Sequence, residues 1–412
     1  MDSLITPLSH LLRIPVLAVL TLAVTLLNPA FAGEKLKVFI LAGQSNTVGH
    51  ARAHTIATLF QSSATRDAQL AKMVFGEGSK LSKDVLDVQL AQAKKLDELT
   101  GGISNKKVKE MKPGPEKDKL EIEVKKRKES HQCYKDKMMS SCVISDRVYI
   151  NSIADRNKRA GKLGIGYGAS QDKIGPEYGF GLSIAQKVKG PILLIKTSWG
   201  GKSLNYNFRP PSAGEYILSE KEKNGKKPVE EIKQNVGQFY NMMNEHVHEV
   251  LANLKDNHPD YDAKAGYEIA GFVWFQGFND QFAPEYRDNY KDNMVHFIND
   301  VRKEYKTPNM PFVIGVLGTP RTKEKVDENA VSVAQRQAAK HPKFKGNVLS
   351  VESYKDYSNY SYSIFEKGWP EHYHEWDTVG SDRPYHYLGS GAFFVRLGDS
   401  FANAISELMA KN

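Results

Sequence analysis

The sequence predicts an α/β fold in which helices cover a mostly parallel β-sheet. Two observations lead to this prediction: short apolar runs recur along the chain, and segments with helical periodicity separate them. Strands buried on both faces of a parallel sheet are nearly continuous in apolar residues, whereas covering helices carry one apolar stripe. Because the two patterns alternate, we expect a layered fold around one sheet.

Five apolar runs rich in Ile, Val and Phe are the predicted strands. They read KLKVFILAGQSN, PILLIKTSWGG, AGFVWFQGFND, MPFVIGVLG and, more weakly, GNVLSVES. The first three end in polar and glycine residues, namely GQSN, SWGG and QGFND. Ligands of parallel sheets bind beyond the carboxyl ends of the strands. These three turns are therefore where we look for a site.

Three later segments carry apolar residues at helical spacing. Residues 236–256 place Phe239 and Met243 on one stripe, and residues 285–305 and 389–409 repeat the pattern. We expect these helices to form the layers that cover the sheet.

Composition and charge are those of an ordinary globular protein. Apolar residues make up 40% and charged residues 25% of the chain, as in soluble domains generally. The 57 basic and 48 acidic residues give a net charge of +9 over 412 residues, which is modest. No basic tract interleaved with aromatic residues and no zinc-finger spacing occurs, so we predict no nucleic-acid partner.

The first 32 residues have the features of a secretory signal peptide. Arg13 precedes the apolar run IPVLAVLTLAVTLL, and the small-residue box Ala30-Phe31-Ala32 follows it. An uncleaved anchor is the alternative, but a bilayer span needs about 20 apolar residues. We expect cleavage after Ala32, a secreted or periplasmic protein without a stable membrane span, and a single domain over residues 33–412.

A charged segment over about residues 76–145 interrupts the alternation of strands and helices. Lys, Glu and Asp dominate it; its first part fits a solvated helix, and the remainder, with its Pro-Gly-Pro, fits an exposed insertion. A basic arm that binds a partner is the alternative. Cys133 and Cys142 lie within this segment, and an oxidising compartment permits a disulfide between them.

Residues that can carry chemistry lie at the predicted strand ends. A serine nucleophile needs a base, a group that orients the base, and donors for the oxyanion. Ser45 follows the first strand, without the G-x-S-x-G elbow of α/β-hydrolases. Asn279 can offer an amide donor, and Gly200 and Gly201 can offer backbone donors, although all three residue types also suit ordinary turns.

His386 in the string SDRPYHYLGSG is the candidate base, with a packed structural histidine as the alternative. Asp382 lies four residues before it, close enough to orient the ring if the loop turns back. His372 and His374 lie among acidic residues in EHYHEWD, but a zinc site needs more ligands than this local pair supplies. We therefore predict no metal site.

The strings GQSN, WGG and GFND and the C-terminal Asp-to-His loop together resemble the SGNH (GDSL-type) hydrolase superfamily. Within it, GQSN, IKTSWGGKSL and W-x-QG-x-x-D are similar to the sialate O-acetylesterase and carbohydrate esterase family six branch. The resemblance covers residues 38–405 apart from the charged insertion. It implies a three-layer α/β/α sandwich on a flavodoxin-like sheet and an acetylesterase that needs no cofactor.

The resemblance also implies roles for single residues. Ser45 would be the nucleophile and His386 the general base. The oxyanion hole would consist of the backbone N–H groups of Ser45 and Gly201, the latter preferred to Gly200, and the Asn279 side chain.

Two positions depart from the family pattern. The orienting acid commonly lies two or three residues before the histidine, where this chain has Arg383 and Pro384. Asp382 or another group would then orient His386, or the enzyme would act with serine and histidine alone. Phe278 stands where the sugar-esterase branch has an acid after Gln-Gly.

Four polar residues are candidate substrate contacts, and four aromatic residues are candidates for stacking on sugars. The polar residues are Gln44, Gln276, Glu177 and Arg209, the last with an exposed structural loop as its alternative. The aromatic residues are Trp199, Phe208, Trp274 and Trp376, with a core position as the alternative for Trp274.

The predicted reaction is a two-step ester hydrolysis through an acyl-enzyme on Ser45. Its expected substrate is an acetylated carbohydrate, either a polysaccharide or a sialic-acid ester. A carbohydrate-binding protein that has lost turnover and an esterase for small lipids are the two alternatives.

Overall fold

The structure is a computed structural model that describes residue 31 and residues 33–411. The predicted signal peptide, residues 1–32, lies outside the described residues except for Phe31. Within the described part of the chain, no helix combines the length and the apolar character that a membrane span requires.

A seven-stranded sheet forms the centre of the fold, in the order β4-β3-β6-β1-β7-β8-β9. All neighbours pair in parallel except β3 and β4, and a separate antiparallel pair joins β2 to β5. The strands are β1 Leu36–Gly43, β2 Ala51–Arg52, β3 Val148–Ala154, β4 Asn157–Lys162, β5 Lys173–Ile174, β6 Ile192–Ser198, β7 Tyr267–Phe275, β8 Phe312–Val316 and β9 Val348–Glu352.

Helices of very different length connect the strands. The helices are α1 Ser45–Val48, α2 Thr65–Phe75, α3 Lys83–Thr100, α4 Lys106–Glu110, α5 Pro115–Ser140, α6 Pro176–Ala185, α7 Glu220–Lys223, α8 Val229–Gln234, α9 Gln238–Ala252, α10 Leu254–Asn257, α11 Pro284–Asp288, α12 Tyr290–Glu304, α13 Lys323–Glu328, α14 Ala330–Ala339, α15 Asn359–Phe365, α16 Tyr373–Val379 and α17 Gly391–Met409. Short 3-10 turns include Ala53–Gln61, Phe278–Phe282 and Pro384–Gly389.

Two apolar clusters cover the two faces of the sheet. Successive side chains of a strand point to opposite faces, and β1 shows this directly. Phe39 and Leu41 pack into one cluster with residues of α6 and α17, whereas Val38 and Ile40 pack into the other with residues of α9, α12 and α14. The fold is therefore a three-layer α/β/α sandwich, as predicted.

The five predicted strands are β1, β6, β7, β8 and β9. Taken alone, they have the order β6-β1-β7-β8-β9, which is the flavodoxin-like order 2-1-3-4-5. The β3–β4 hairpin extends this sheet beyond β6 and was not predicted. Its second strand, Asn157–Lys162, has no buried residue, so it lacks the apolar signal on which the prediction depends.

The register of the sheet brings the three polar strand ends together. Gly43, the last residue of β1, pairs with Ser198 at the end of β6 and with Phe275 at the end of β7. The turns that follow these strands are GQSN, WGG and QGFND. They therefore lie side by side at one edge, at the switch point where such sheets bind ligands.

The charged insertion is helical over most of its length. Its first part forms α3, as predicted, and the remainder forms α5, which is 26 residues long and begins at Pro115. Most of α5 is exposed, but Arg127, His131, Tyr134 and Met138 are buried at helical spacing. Because this buried stripe is half polar, hydropathy does not reveal it.

The predicted disulfide is wrong, because Cys133 and Cys142 are both free thiols. Cys133 is exposed on α5, whereas Cys142 is buried just beyond the end of that helix. The seven helical steps from Cys133 to the end of α5 span about 10 Å, and a disulfide needs Cα atoms within about 7 Å. The Cys142 thiol instead donates to the carbonyl of Met138 at 3.4 Å.

Candidate active site

Ser45 is the first residue of α1 and follows β1 after a sharp turn. Ser45 is 9% exposed, so its hydroxyl lies in a narrow opening. A Cβ on Gly43 would overlap the carbonyl oxygen of Phe275, which explains the glycine at this position. A Cβ on Gly200 would lie 3.9 Å from that of Ser45, so the WGG turn lies directly beside the serine.

Two backbone N–H groups near Ser45 have no acceptor among the described residues. The first N–H groups of a helix have no partner within the helix, and that of Ser45 is one of them. The N–H of Gly200 already donates to Asp155 at 2.7 Å. Gly201 has a φ of +68° and faces open space, and among the described residues we find no acceptor for its N–H. Of the two glycines, Gly201 is therefore the one whose backbone N–H is available to a ligand.

The Asn279 side chain is held in one orientation by Gln44. The Gln44 Oε1 atom accepts hydrogen bonds from the backbone N–H groups of Gly277 at 3.1 Å and Asn279 at 3.4 Å. Only an oxygen can accept both bonds, so the Gln44 amide nitrogen is the atom that donates to Asn279 Oδ1 at 3.0 Å. This bond leaves the Asn279 Nδ2 group free to donate elsewhere.

Asp280 fixes the QGFND turn against the turn that follows WGG. Its fully buried carboxylate accepts from the backbone N–H groups of Leu204 and Asn205 at 2.9 to 3.1 Å, and from the Gln276 side chain. Burial raises the pKa of Asp280 to about 7, although these donors favour the charged form. Gln276 also donates to Gln44, so one buried network links all three turns.

The loop of His386 is anchored by the residue that follows it. The Tyr387 hydroxyl accepts from the N–H of Gly318 at 2.9 Å and contacts Ser353 Oγ at 2.9 Å, and its ring stacks on Phe393. Tyr387 and Leu388 have φ values of 49° and 64°, a conformation that costs non-glycine residues about 1–3 kcal/mol. The buried contacts of Tyr387 hold this turn in place.

A hydrogen bond joins the loop that carries His386 to the turn that carries Ser45. Asn46, next to Ser45, donates through Nδ2 to the carbonyl of Tyr385 at 3.1 Å. His386 follows Tyr385 directly, so the two loops meet at the residues that neighbour the serine and the histidine.

Asp382 reaches His386 despite the unusual spacing. Its Oδ2 atom lies 3.1 Å from His386 Nδ1, since the 3-10 turn at Pro384 folds the chain back on itself. Burial opposes the charge of Asp382, but the contact with His386 and the N–H of Arg383 together lower its pKa. The contact is close enough for an ion pair but lacks the geometry of a hydrogen bond, and a carboxylate in this place can position the ring.

His50 is a second histidine at the same carboxylate, and no sequence pattern pointed to it. Its ring stacks on that of His386 with centroids 4.1 Å apart and planes 6° apart, and its Nδ1 lies 3.7 Å from Asp382 Oδ2. Burial and the neighbouring His386 lower the pKa of His50 to about 4. His50 is therefore neutral near pH 7.

His50, Asp382 and His386 each offer an atom that could bind a metal ion, and these three atoms lie within 4.8 Å of one another. Nitrogen ligands bind zinc in a tetrahedral arrangement, through lone pairs that point to one centre. The rings of His50 and His386 are parallel, so their in-plane lone pairs do not converge. The arrangement fits two rings around a shared carboxylate better than it fits a metal.

Three predicted substrate contacts are internal supports. Glu177 is fully buried; it pairs with Lys196 at 2.8 Å and accepts from the N–H of Gly175. Gln276 is 3% exposed and belongs to the buried network. Arg209 donates to the carbonyls of Ala213, Gly214 and other residues of its own loop, which agrees with the alternative of a structural loop. Gln44 is 1% exposed and acts through Asn279.

The predicted stacking aromatics are also buried. Trp199, Phe208, Trp274 and Trp376 are between 0% and 5% exposed and belong to the core. Three other rings form an aromatic rim, which we define as Phe278, Phe282 and Tyr385. Their neighbouring centroids are 5.2 and 6.1 Å apart, and the ring of Tyr385 contacts that of His386 at 4.5 Å. Phe282 is 68% and Tyr385 44% exposed.

The solved structures similar to this chain share little of its sequence. A protein from Arabidopsis thaliana is 14% identical, covers 90% of this chain and 98% of its own, and has a TM-score of 0.42. XAC1771, a carbohydrate acetylesterase from Xanthomonas citri, is 12% identical over 77% of this chain and 49% of its own, with a TM-score of 0.37. NanS is 10% identical over 77% and 78%, with a TM-score of 0.37. A search of the curated proteins gives no match.

A family model described as "Carbohydrate esterase, sialic acid-specific acetylesterase" matches residues 154–355. The matched region contains the WGG and QGFND turns, while Ser45 and His386 lie on either side of it. Over this region, which is just under half of the chain, the sequence is similar to the sialic acid-specific acetylesterase family of carbohydrate esterases, and the α/β/α fold and the residues gathered at the strand ends agree with that similarity.

Proposed function

We propose that the protein removes acetyl groups from carbohydrate esters through an acyl-enzyme on Ser45. One observation supports this proposal above the others. A Cβ on Gly200 of the WGG turn would lie 3.9 Å from that of Ser45, and the two neighbours of Ser45, Gln44 and Asn46, bind Asn279 and the loop that carries His386. Nucleophile, oxyanion donors and base are thus drawn from three strand ends and one anchored loop.

In the first step the Ser45 hydroxyl oxygen attacks the acetyl carbonyl carbon, and His386 Nε2 takes the hydroxyl proton. Asp382 at Nδ1 stabilises the imidazolium that forms. The negative charge on the former carbonyl oxygen is stabilised by the N–H groups of Ser45 and Gly201 and by Asn279 Nδ2. Each such donor contributes about 10²–10³-fold to the rate.

The tetrahedral intermediate then collapses. The bond between the carbonyl carbon and the sugar oxygen breaks, and His386 gives its proton to that oxygen, which leaves as an alcohol. A water molecule repeats the sequence on the acetyl-enzyme: His386 takes its proton, the ester bond to Ser45 breaks, and acetate leaves.

The aromatic rim is the substrate contact that we propose in place of the buried tryptophans. It borders His386, which serves the leaving alcohol, so a sugar ring bound there would lie against the exposed faces of Phe282 and Tyr385. Phe278 replaces the acid of related esterases, so this side of the site presents apolar surface to the substrate. We expect a preference for sugar rings that offer a C–H face.

We also propose that the protein acts outside the cytoplasm after removal of residues 1–32. The basic residue, the apolar run and the Ala-Phe-Ala box support this proposal. Expression of the full chain in a host with a secretory pathway, followed by N-terminal sequencing, should give a first residue of Gly33. A mature protein that keeps residues 1–32 would contradict it.

The esterase proposal is tested by acetate release from acetylated xylan and O-acetyl sialic acid, with Ser45→Ala as the inactive variant and Ser203→Ala as a control serine. We expect release by the wild type and the control only. Equal rates for wild type and Ser45→Ala would contradict the assignment of the nucleophile. No turnover of any ester would favour the alternative of a binding protein, and a rate that rises with acyl chain length would favour a lipid esterase.

A further inference from the structure

We propose that His50 is a positioning residue of the reaction. Its ring holds the ring of His386 in one plane and stabilises that ring once it has taken a proton. This role rests on the proposed function, in which His386 is the base. It adds a residue that lies outside the strings GQSN, WGG and GFND and outside the loop from Asp382 to His386.

Asp382 alone does not fix the orientation of the His386 ring. Its Oδ2 atom lies 3.1 Å from His386 Nδ1, but the contact lacks the geometry of a hydrogen bond, and this nitrogen has no hydrogen-bond partner among the described residues. In a serine–histidine–aspartate triad, a hydrogen bond at this nitrogen orients the base. The His386 ring therefore needs a further contact that keeps it in one orientation.

Two other rings contact the ring of His386. The ring of His50 lies parallel to it, with centroids 4.1 Å apart and planes 6° apart. The ring of Tyr385 meets it edge to face, with centroids 4.5 Å apart. Tyr385 is exposed, whereas only 20% of the His50 side chain is. A tilt of the His386 ring would break the parallel contact, so His50 restricts the plane in which both ring nitrogens lie.

The backbone next to His50 is bound to both ends of the loop that carries His386. Ser381, at the start of this loop, accepts through Oγ from the N–H of Arg52 at 3.1 Å. The same hydroxyl donates to the carbonyl of Gly389, at the end of the loop, at 2.8 Å. Because one hydroxyl joins these segments, the ring of His50 keeps its place against the loop.

The same stacking stabilises His386 after it has taken a proton. As the oxygen of Ser45 or of water bonds to the acetyl carbon, its proton moves to His386 Nε2, and the ring carries a positive charge until the proton passes to the leaving oxygen. A cation within about 6 Å of the centre of a neutral aromatic ring is attracted to the face of that ring. The centroid distance of 4.1 Å to His50 lies within this limit.

His50 is neutral at the pH at which a histidine base works. Burial, the charge of His386 and the charge of Lys173 lower the pKa of His50 to about 4. Asp382 and Asp155 act in the opposite direction. His50 therefore presents a neutral ring to His386 and does not compete with it for the proton.

The role of His50 is tested by the kinetics of 4-nitrophenyl acetate hydrolysis by two variants. His50→Phe keeps a ring that can stack but has no nitrogen, whereas His50→Gln keeps a polar group but has no ring. His248→Gln is the matched control, since His248 is an exposed histidine of α9 that contacts Glu304 and Tyr305. Circular dichroism checks that each variant is folded.

We expect His50→Gln to lower kcat about 3- to 30-fold, the range that corresponds to the loss of a cation–π contact. KM should stay within about twofold of the wild-type value, because acylation and deacylation both use His386 and slow together. His50→Phe should keep at least half of the wild-type kcat, and His248→Gln should equal the wild type.

Wild-type kcat in folded His50→Gln would overturn the proposal. A His50→Phe enzyme as slow as His50→Gln would overturn it too, since a nitrogen and not the ring would then matter, and so would a KM that rises as much as kcat falls. Equal rates for wild type and Ser45→Ala would contradict the proposed function itself, whereas an inactive Ser45→Ala with a fully active His50→Gln would contradict only the role of His50. If His50→Phe does not fold, kcat and KM of His50→Gln decide.

Discussion

Replacement of Gln44 by Glu should inactivate the esterase without unfolding it. The two side chains have nearly the same shape, and a carboxylate oxygen can accept the bonds that Gln44 Oε1 accepts from Gly277 and Asn279. The other end of the side chain changes from a donor to an acceptor, and there it faces Asn279 Oδ1 at 3.0 Å. Two oxygens repel at this distance, so the Asn279 amide should rotate by 180°.

The rotation determines the size of the effect. Asn279 Nδ2 would then donate to the introduced carboxylate and its oxygen would face the oxyanion, so a donor is lost and a repulsive dipole replaces it. Loss of one oxyanion donor costs about 10²–10³-fold in kcat, or about 3–4 kcal/mol. Because the acetyl group is bound with little charge in the ground state, KM should change much less than kcat.

The assay is the kinetics of acetate release by wild type, Gln44→Glu, Asn279→Ala and the double variant. Both changes act on one donor, so the double variant should be no slower than the slower single variant within about threefold. Thermal unfolding followed by circular dichroism serves as the control for folding. Multiplied losses in the double variant, or a Gln44→Glu enzyme with wild-type kcat, would refute the role given to this amide pair.

Three further predictions concern the groups behind the site. Asp382→Asn should lower kcat by about 100-fold or more while the protein stays folded, because its carboxylate is 3.1 Å from His386 Nδ1; unchanged acetate release would mean that another group orients the ring. His50 has a pKa of about 4 in the folded protein against an ordinary value of 6.5, so its contribution to stability is present above pH 6.5 and lost as the pH falls toward 4. In urea unfolding, His50→Asn should reduce the slope of the unfolding free energy against pH over this range by up to about 1.4 kcal/mol per pH unit. An identical slope in wild type and variant would contradict that pKa. Glu177→Gln should destabilise the fold by about 3–5 kcal/mol, because it leaves Lys196 buried without its carboxylate; a melting temperature equal to that of the wild type would show that this pair is not a support.

The central sheet could be predicted because its strands are buried on both faces. Five strands and the flavodoxin-like order followed from continuous apolar runs and from the family resemblance. The β3–β4 hairpin was not predicted because its second strand, Asn157–Lys162, is polar and exposed. The packing of α5 was not predicted because Arg127 and His131 make up half of its buried stripe. His131 contacts Asp377, about 250 positions away along the chain, and no local pattern reveals that contact.

At the candidate site, residue types at strand ends pointed to turns that the sheet does bring together, but they did not reveal the contacts that each side chain makes. Glu177 and Arg209 have charges that suit a substrate, and only the fold reveals that Lys196 and loop carbonyls already engage them. The stacking of His50 on His386 had no local signal, because it depends on the way a C-terminal loop returns to the first strand.

The most direct test of the proposed mechanism is to identify the residue that a fluorophosphonate probe labels. Probes of this class react with serine nucleophiles that a base has activated, so peptide mass spectrometry after labelling locates the nucleophile. We predict a single adduct on Ser45 that is absent from Ser45→Ala and strongly reduced in His386→Ala. An adduct on another residue, or an unlabelled Ser45 in a protein that releases acetate, would contradict the mechanism.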